Sequence, residues 1–233
     1  MLIRTVLLFL FYVILLLAMA PVLLAAMIFG IREPLVNIGK GAMRLSRAVL
    51  GLRVEVEGRP DEENSRACVF MSNHLSLLDG PLLFMLIRRP IRVIMKTSVF
   101  RLPVVGPGMR YVGFVPVDRR GTSAGREALE GAARMMRDKG YSFLIFPEGT
   151  RSRTGTLQPF RRGGFFLAGS AEAPIVPVSI KGTFEIMPKG KLIPRQGAIR
   201  VIFHPAIPYP GSTSEDMAGW MAAVRDRLSA GSE

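Results

Sequence analysis

From Thr5 to Ile31 the chain runs 27 residues without a charged side chain. As one helix this run is about 40 Å long, more than the ~30 Å hydrocarbon core of a bilayer. It predicts a transmembrane or membrane-embedded segment, and Pro21 marks a point where that helix can kink or turn back. A cleaved signal peptide would use Ala18-Met19-Ala20 as its small-residue site, but Pro21 follows at once and the apolar run outlasts the usual signal core of roughly 7–15 residues. A buried core helix is the remaining alternative. From Glu33 to Leu50 the pattern changes. Leu35, Ile38, Ala42, Leu45 and Val49 step by three and four, with Lys40, Arg44 and Arg47 on another face. This predicts an interfacial helix, a helix packed on the following domain, or one doing both.

Beyond residue 50 short apolar runs alternate with helical periodicity. Arg53 to Glu57 alternates as a half-exposed strand, Asp61 to Arg66 is a polar loop, and Ala67 to Met71 is a buried strand. Pro81 to Ile87 reads as an apolar helix and Arg92 to Met95 as a strand. Residues 96 to 111, rich in Pro and Gly, read as a loop with short turns, followed by a strand over Tyr111 to Val117. Ser123 to Lys139 is an amphipathic helix with Ala128, Leu129, Ala132, Met135 and Met136 as its stripe, capped by Thr122 or Ser123 and stopped by Gly140. Ser142–Phe146, Ile175–Ile180 and Ile199–Phe203 are further strands. Ser214 to Leu228 is a closing helix with the only tryptophan, Trp220. The alternation predicts one α/β domain over residues 51–233, its sheet covered on both faces, behind an N-terminal membrane-anchoring module over residues 1–50.

Charge sharpens the picture. With 31 Lys+Arg against 18 Asp+Glu, the net charge of +13 calls for an anionic partner. No zinc-finger spacing and no aromatic-basic RNA signature accompanies it, so nucleic acid is set aside in favour of anionic lipid or an acidic substrate or carrier. Arg4 alone precedes the apolar run, whereas Arg32, Lys40, Arg44 and Arg47 follow it, which places the bulk of the chain on the cytoplasmic face of the membrane. The single cysteine, Cys68, excludes an intramolecular disulfide and agrees with a reducing compartment.

The chemistry is concentrated in Asn73-His74-Leu75-Ser76-Leu77-Leu78-Asp79. A neutral imidazole is a good base near pH 7, and a carboxylate beside it fixes its tautomer and stabilises its cation. On one helix His74 and Asp79 would stand about 140° apart, so they meet only if His74 is in a loop and the helix begins near Asp79. Pro81 supports such a start. The plainer alternative makes Asp79 a cap in a Ser76-x-x-Asp79 pattern. Phe146-Pro147-Glu148-Gly149-Thr150-Arg151-Ser152 follows a strand, where open α/β sheets bind ligands. It is either a simple type I turn or a site in which Arg151 and backbone amides hold a phosphate and Glu148 orders the cluster. Arg88 to Arg120 carries eight Arg/Lys, read as a solvated face or a gatherer of phosphate. Cys68 reads as a buried inert thiol and His204 as structural. No oxyanion signature accompanies Ser76.

Together these residues resemble the 1-acylglycerol-3-phosphate acyltransferase family. Residues 73–79 look like its His-x4-Asp block, and Gly113-Phe114-Val115-Pro116-Val117-Asp118-Arg119 is similar to its second block. Residues 146–152 resemble the third, and Ile175-Val176-Pro177-Val178-Ser179 the fourth. Lys96, Pro103 and Gly106 fit a Lys-containing stretch between the first two, and Pro116 departs from the family's usual aliphatic or aromatic residue. The resemblance spans roughly residues 50 to 205. It implies a glycerol-3-phosphate-acyltransferase-like α/β domain, a mixed sheet flanked by helices, that transfers an acyl group directly from a thioester to a lysophosphatidate. In that scheme His74 is the base and Asp79 its orienter. Lys96, Arg119 and Arg151 hold the acceptor phosphate and Glu148 orders the site. Gly113, Gly149, Thr150 and Pro177 sit in the same substrate-binding blocks. Acyl-CoA or acyl carrier protein is the expected co-substrate, with no other cofactor and no metal. Another acceptor, such as a lyso-ornithine lipid or a lysophospholipid, stays open. So do a non-catalytic membrane lipid-binding protein and a thioesterase or lipase acting through Ser76 or Cys68.

Overall fold

The computed structural model describes residues 1–58, 66–118, 122–211 and 213–231. Residues 61–65 of the expected polar loop, and the candidate phosphate ligand Arg119, lie outside them. Seven strands form one sheet: β1 Arg53–Glu57, β2 Val69–Ser72, β3 Ile91–Lys96, β4 Val115–Val117, β5 Ser142–Ile145, β6 Ile175–Lys181 and β7 Ala198–Phe203. Their order is β1-β7-β6-β2-β5-β3-β4. Neighbours pair in parallel except β6 with β7, so β1 and β7 run against the other strands. Central strands β2 and β6 are buried along almost their whole length, as their continuous apolar runs require of parallel strands covered on both faces. The sheet is therefore mixed and flanked by helices, as the resemblance implied.

On one face pack α1 Leu2–Phe29, α2 Glu33–Leu50 and α3 Asp79–Leu86. On the other pack α5 Ser123–Lys139, α6 Gly163–Ser170 and α8 Ser214–Ala230, with Trp220 at 3% exposure among Phe165, Val224 and Leu228. Helix α1 is one uninterrupted helix through Pro21, long and apolar enough to cross a membrane, and 6% of its most apolar window is buried. It is tied down by Tyr12 Oη to Ser46 Oγ of α2 at 2.7 Å and by the Tyr111 hydroxyl donating to Ala26 O at 2.6 Å.

The structure departs from the sequence reading at several points. The segment read as a loop forms a short 3-10 turn, Thr97–Arg101, then α4, Val105–Tyr111, so the strand expected from Tyr111 is only Val115–Val117. Its glycines serve close approach rather than helix breaking: a Cβ on Gly106 would lie 2.2 Å from Phe100 O. The same reason hid α6, where Gly163-Gly164 lets a helix lie on the strands, a Cβ on Gly164 meeting Met71 Cε at 3.0 Å. Lys40, read on the basic face of α2 with Arg44 and Arg47, is buried, with Nζ donating to Ile87 O at 2.6 Å. Of the expected α2 stripe, Ala42 is buried and Leu35 and Val49 pack against the core beside Val36 and Leu50, while Ile38 and Leu45 stay 38% and 44% exposed. Arg92 is not on a solvated face either. It is fully buried, paired with Glu33 and stacked 3.9 Å over Tyr141, which ties α2 to β3.

Candidate active site

Strand β2 ends where a side chain takes over its hydrogen bonding. Asn73 Nδ2 donates to Ile180 O at 2.9 Å, and Ile180 N donates back to Asn73 Oδ1 at 2.8 Å. With the ladder to β6 thus continued by an amide side chain, the backbone turns off the sheet at His74. Ser76 Oγ donates to Met187 O at 2.7 Å and secures the loop. Helix α3 begins at Asp79, as Pro81 in its first turn predicts.

Asp79 is fully buried, and one oxygen gathers the loop. Oδ2 accepts from Leu75 N and Ser76 N, each at 2.7 Å, and meets His74 Nδ1 at 2.9 Å. The oxygen that meets the imidazole is thus the one that holds the loop amides, whereas the first turn of α3, which follows Leu78, has no side-chain cap. A carboxylate oxygen in this contact accepts, so Nδ1 is the donor, and in the neutral imidazole the lone pair then lies on Nε2. Among the described residues Nε2 has no partner, and the His74 side chain is 15% exposed. Phe146 stacks on the imidazole at 4.0 Å between centroids, fixing the plane of the ring.

The third block grips the backbone of His74 on both sides. Glu148 Oε1 accepts from His74 N at 2.6 Å, its Oε2 accepts from Gln158 N at 2.9 Å, and Ser152 N donates to His74 O at 2.8 Å. Burial raises the Glu148 carboxyl above its ordinary value of 4.5, offset by these amides and reinforced by nearby Asp79. Gly149 has φ 71, and a Cβ there would strike Arg161 at 2.8 Å. Lys189 Nζ donates to Thr150 Oγ1 at 3.1 Å and Arg151 O at 3.2 Å. The Arg151 guanidinium is half-exposed and unpaired among the described residues.

Register brings most candidates to one level. Met71 pairs with Ile145, so the line of His74 meets that of Glu148. Val93 pairs with Leu144, which sets Lys96, exposed and unpaired among the described residues, beside Pro147. Lys96 in turn pairs with Val117, two residues before Arg119. His74, Asp79, Glu148, Gly149, Thr150, Arg151 and Lys96 thus share the carboxyl edge of the parallel strands. Beside them, Asp118, Phe146, Gly149, Arg161 and Arg162 help line a cleft of about 490 Å³. Two candidates stand apart. Pro177 pairs with Met71, three residues and about 10 Å down the strand, and is buried. Gly113 lies at the opposite end of β4, a turn residue with φ 91 packed against Arg92. Asn73, Phe146 and Gln158 carry structural duties that local pattern did not assign, because each depends on a partner far away in sequence. Ser76 and Cys68 are buried and turned to other partners, which leaves them unsuited as nucleophiles. His204, half-buried, bonds Ser179 Oγ at 2.8 Å in a structural role, and desolvation lowers its pKa, helped by Arg227.

Fold and site define an α/β protein with a buried-carboxylate/histidine pair opening at the carboxyl edge of its sheet. The chain belongs to the acyltransferase family, whose model matches residues 53–181. It is 40% identical over 141 residues to a chloroplastic 1-acyl-sn-glycerol-3-phosphate acyltransferase of Brassica napus, covering 60% of this chain and 40% of that one. To the human alpha 1-acyl-sn-glycerol-3-phosphate acyltransferase it is 32% identical over 180 residues, 76% of this chain and 63% of that one. The chain spans about two-fifths of the length of the plant relatives, 40% and 44% for those of Brassica napus and Arabidopsis thaliana. The crystal structure of the 1-acyl-sn-glycerophosphate (LPA) acyltransferase PlsC from Thermotoga maritima has the same fold, with a TM-score of 0.82 and 24% identity over 99% of this chain and 94% of that one.

Proposed function

We propose that the protein transfers a fatty acyl group from an acyl thioester to the free hydroxyl of 1-acylglycerol-3-phosphate, forming phosphatidate. The observation that carries this is the His74–Asp79 pair at 2.9 Å with Nε2 open, in a chain of the acyltransferase family. The names of its relatives support lysophosphatidate as the acceptor.

His74 Nε2 takes the hydroxyl proton as that oxygen bonds to the thioester carbonyl carbon. The tetrahedral intermediate collapses, the C–S bond breaks, and the departing thiolate recovers the proton from the imidazolium. No enzyme nucleophile is needed. Asp79 stabilises the imidazolium, as the carboxylate of a serine-protease triad does. Glu148 holds the backbone of the base. Lys96, Arg119 and Arg151 supply cations for the acceptor phosphate, bidentate in the case of arginine. The apolar groove under Leu77 and Leu78, between the domain and α1 and α2, suits an acyl chain. Attachment through α1, with the domain on the cytoplasmic side, would keep the site at the bilayer that holds its acceptor.

The test is acyl transfer by the purified, solubilised protein with lysophosphatidate and either acyl-CoA or acyl carrier protein donors. Phosphatidate should form with wild type. His74→Ala should lose about 10²–10⁴ of the rate, the usual worth of a general base. Wild type giving no product with either donor overturns the reading.

A further inference from the structure

The loop joining α7, Thr183–Ile186, to β7 carries an apolar tip that none of the described residues covers. Leu192 is 77% exposed and Ile193 46%. The tip is held outward. Gly190, at φ 96, turns the chain, and Lys191 N bonds Pro188 O at 3.1 Å. Pro194 is buried, and Arg195 N returns to Ile186 O at 2.8 Å. Lys191 and Arg195, both exposed, flank the tip, and half-buried Lys189 stands at its root.

An aliphatic pair between cations is the composition of an interfacial contact. The apolar tip enters the acyl boundary while the cationic heads stay at the level of lipid phosphates. Its location agrees. Met187, at the root of the loop, lines the same groove of about 370 Å³ as Leu8 and Tyr12 of α1, Met43 of α2 and Leu77 of the His74 loop. The loop therefore rises on the face that carries the long apolar helix. Leu77 itself is 52% exposed there.

We propose that the Leu192–Ile193 loop is a second membrane contact, separate from α1, that docks the His74 side of the domain on an anionic lipid surface. Lys189 bonds Thr150 Oγ1 and Arg151 O, so the segment that reaches the lipid also holds the candidate phosphate-binding turn.

The test places an environment-sensitive fluorophore at Leu192→Cys in the full chain, reconstituted in phosphatidylcholine vesicles with or without phosphatidylglycerol. Arg134→Cys, exposed on α5 across the sheet, is the control, and wild type with buried Cys68 sets background labelling. The probe at 192 should shift to the blue and be quenched by lipids carrying a nitroxide near the headgroup. The shift should grow with phosphatidylglycerol, shrink with salt or with Lys191→Glu, and be absent at 134. Water-like emission at 192 in both vesicle compositions overturns the proposal. So does a shift produced by an acidic carrier protein and not by vesicles, which would assign the tip to a protein. The readout is the position of the loop, so it is independent of whether the protein transfers acyl groups.

Discussion

Asp79→Asn separates the two jobs that one oxygen performs. Asparagine keeps a carbonyl of the same size, able to accept from Leu75 N and Ser76 N, but it loses the charge. Neutral hydrogen bonds contribute about 0.5–1.5 kcal/mol against about 1.5–3 for charged ones, so the two backbone bonds should weaken by roughly 1 kcal/mol each. Asp79 Oδ1 is buried and has no hydrogen-bond partner among the described residues, and the new amide would occupy that place. An unsatisfied buried group adds about 1–3 kcal/mol, for a total near 3–5 kcal/mol. At about 2–4 °C per kcal/mol for a chain of this size, Tm should fall by about 6–20 °C. Catalysis should suffer more. With an effective dielectric of ~20, the imidazolium and carboxylate at their observed 2.9 Å attract by at most about 6 kcal/mol. General-base catalysis, worth about 10²–10⁴, limits how much of that reaches the rate. The expected result is a loss of about 10²–10⁴ in kcat with KM little changed, measured by acyl transfer well below the lowered Tm. The chain has only two histidines, so 15N spectra of the imidazoles can follow the Nδ1 proton of His74 directly. A kcat loss under about tenfold, alongside the expected Tm drop, would show that Asp79 only caps the loop.

Glu148→Gln leaves one carbonyl for two amide donors. It should destabilise by about 1.5–3 kcal/mol in denaturant unfolding and lower kcat by displacing His74, whereas unchanged stability and rate would refute the brace. Because the Glu148 pKa is raised by burial, activity that needs the carboxylate should fade on acidification above the ordinary 4.5, and Glu148→Gln should remove that limb of the pH–rate profile. Asn73→Ala orphans both polar groups of Ile180 and should cost about 2–6 kcal/mol by chemical denaturation, with less than 1 kcal/mol arguing that water replaces the clamp. His204 has a lowered folded pKa, so the unfolded chain binds its proton first. Its contribution should be complete above pH 6.5 and be lost as pH falls toward the lowered value; Tm profiles of wild type and His204→Gln that run parallel below pH 6.5 would contradict this.

Local period was enough to place several elements to the residue. Glu33–Leu50, Arg53–Glu57 and Ser123–Lys139 are bounded in the structure as their spacing and caps indicate. The pairing of His74 with Asp79 was also legible, because Pro81 fixes where the helix can begin. Helices α4 and α6 were not legible. Glycine in sequence signals a break, and whether it instead admits a neighbour depends on Phe100 or Met71 arriving from elsewhere. Lys40 and Arg92 look like surface charge until Ile87 O, Glu33 and Tyr141 are in place around them.

By itself the sequence determined the apolar N-terminal helix, the α/β alternation, the family blocks and the meeting of His74 with Asp79. These are written in periodicity, caps and residues close along the chain. The tertiary structure decided what makes the pair usable. Glu148 lies 74 residues from the His74 amide it holds, and Ile180 lies 107 from the Asn73 that clamps it. Only strand register brings such partners to one edge, and it equally removes Gly113 to the far end of β4. A hydrogen bond is set by distance in space, which no local pattern encodes.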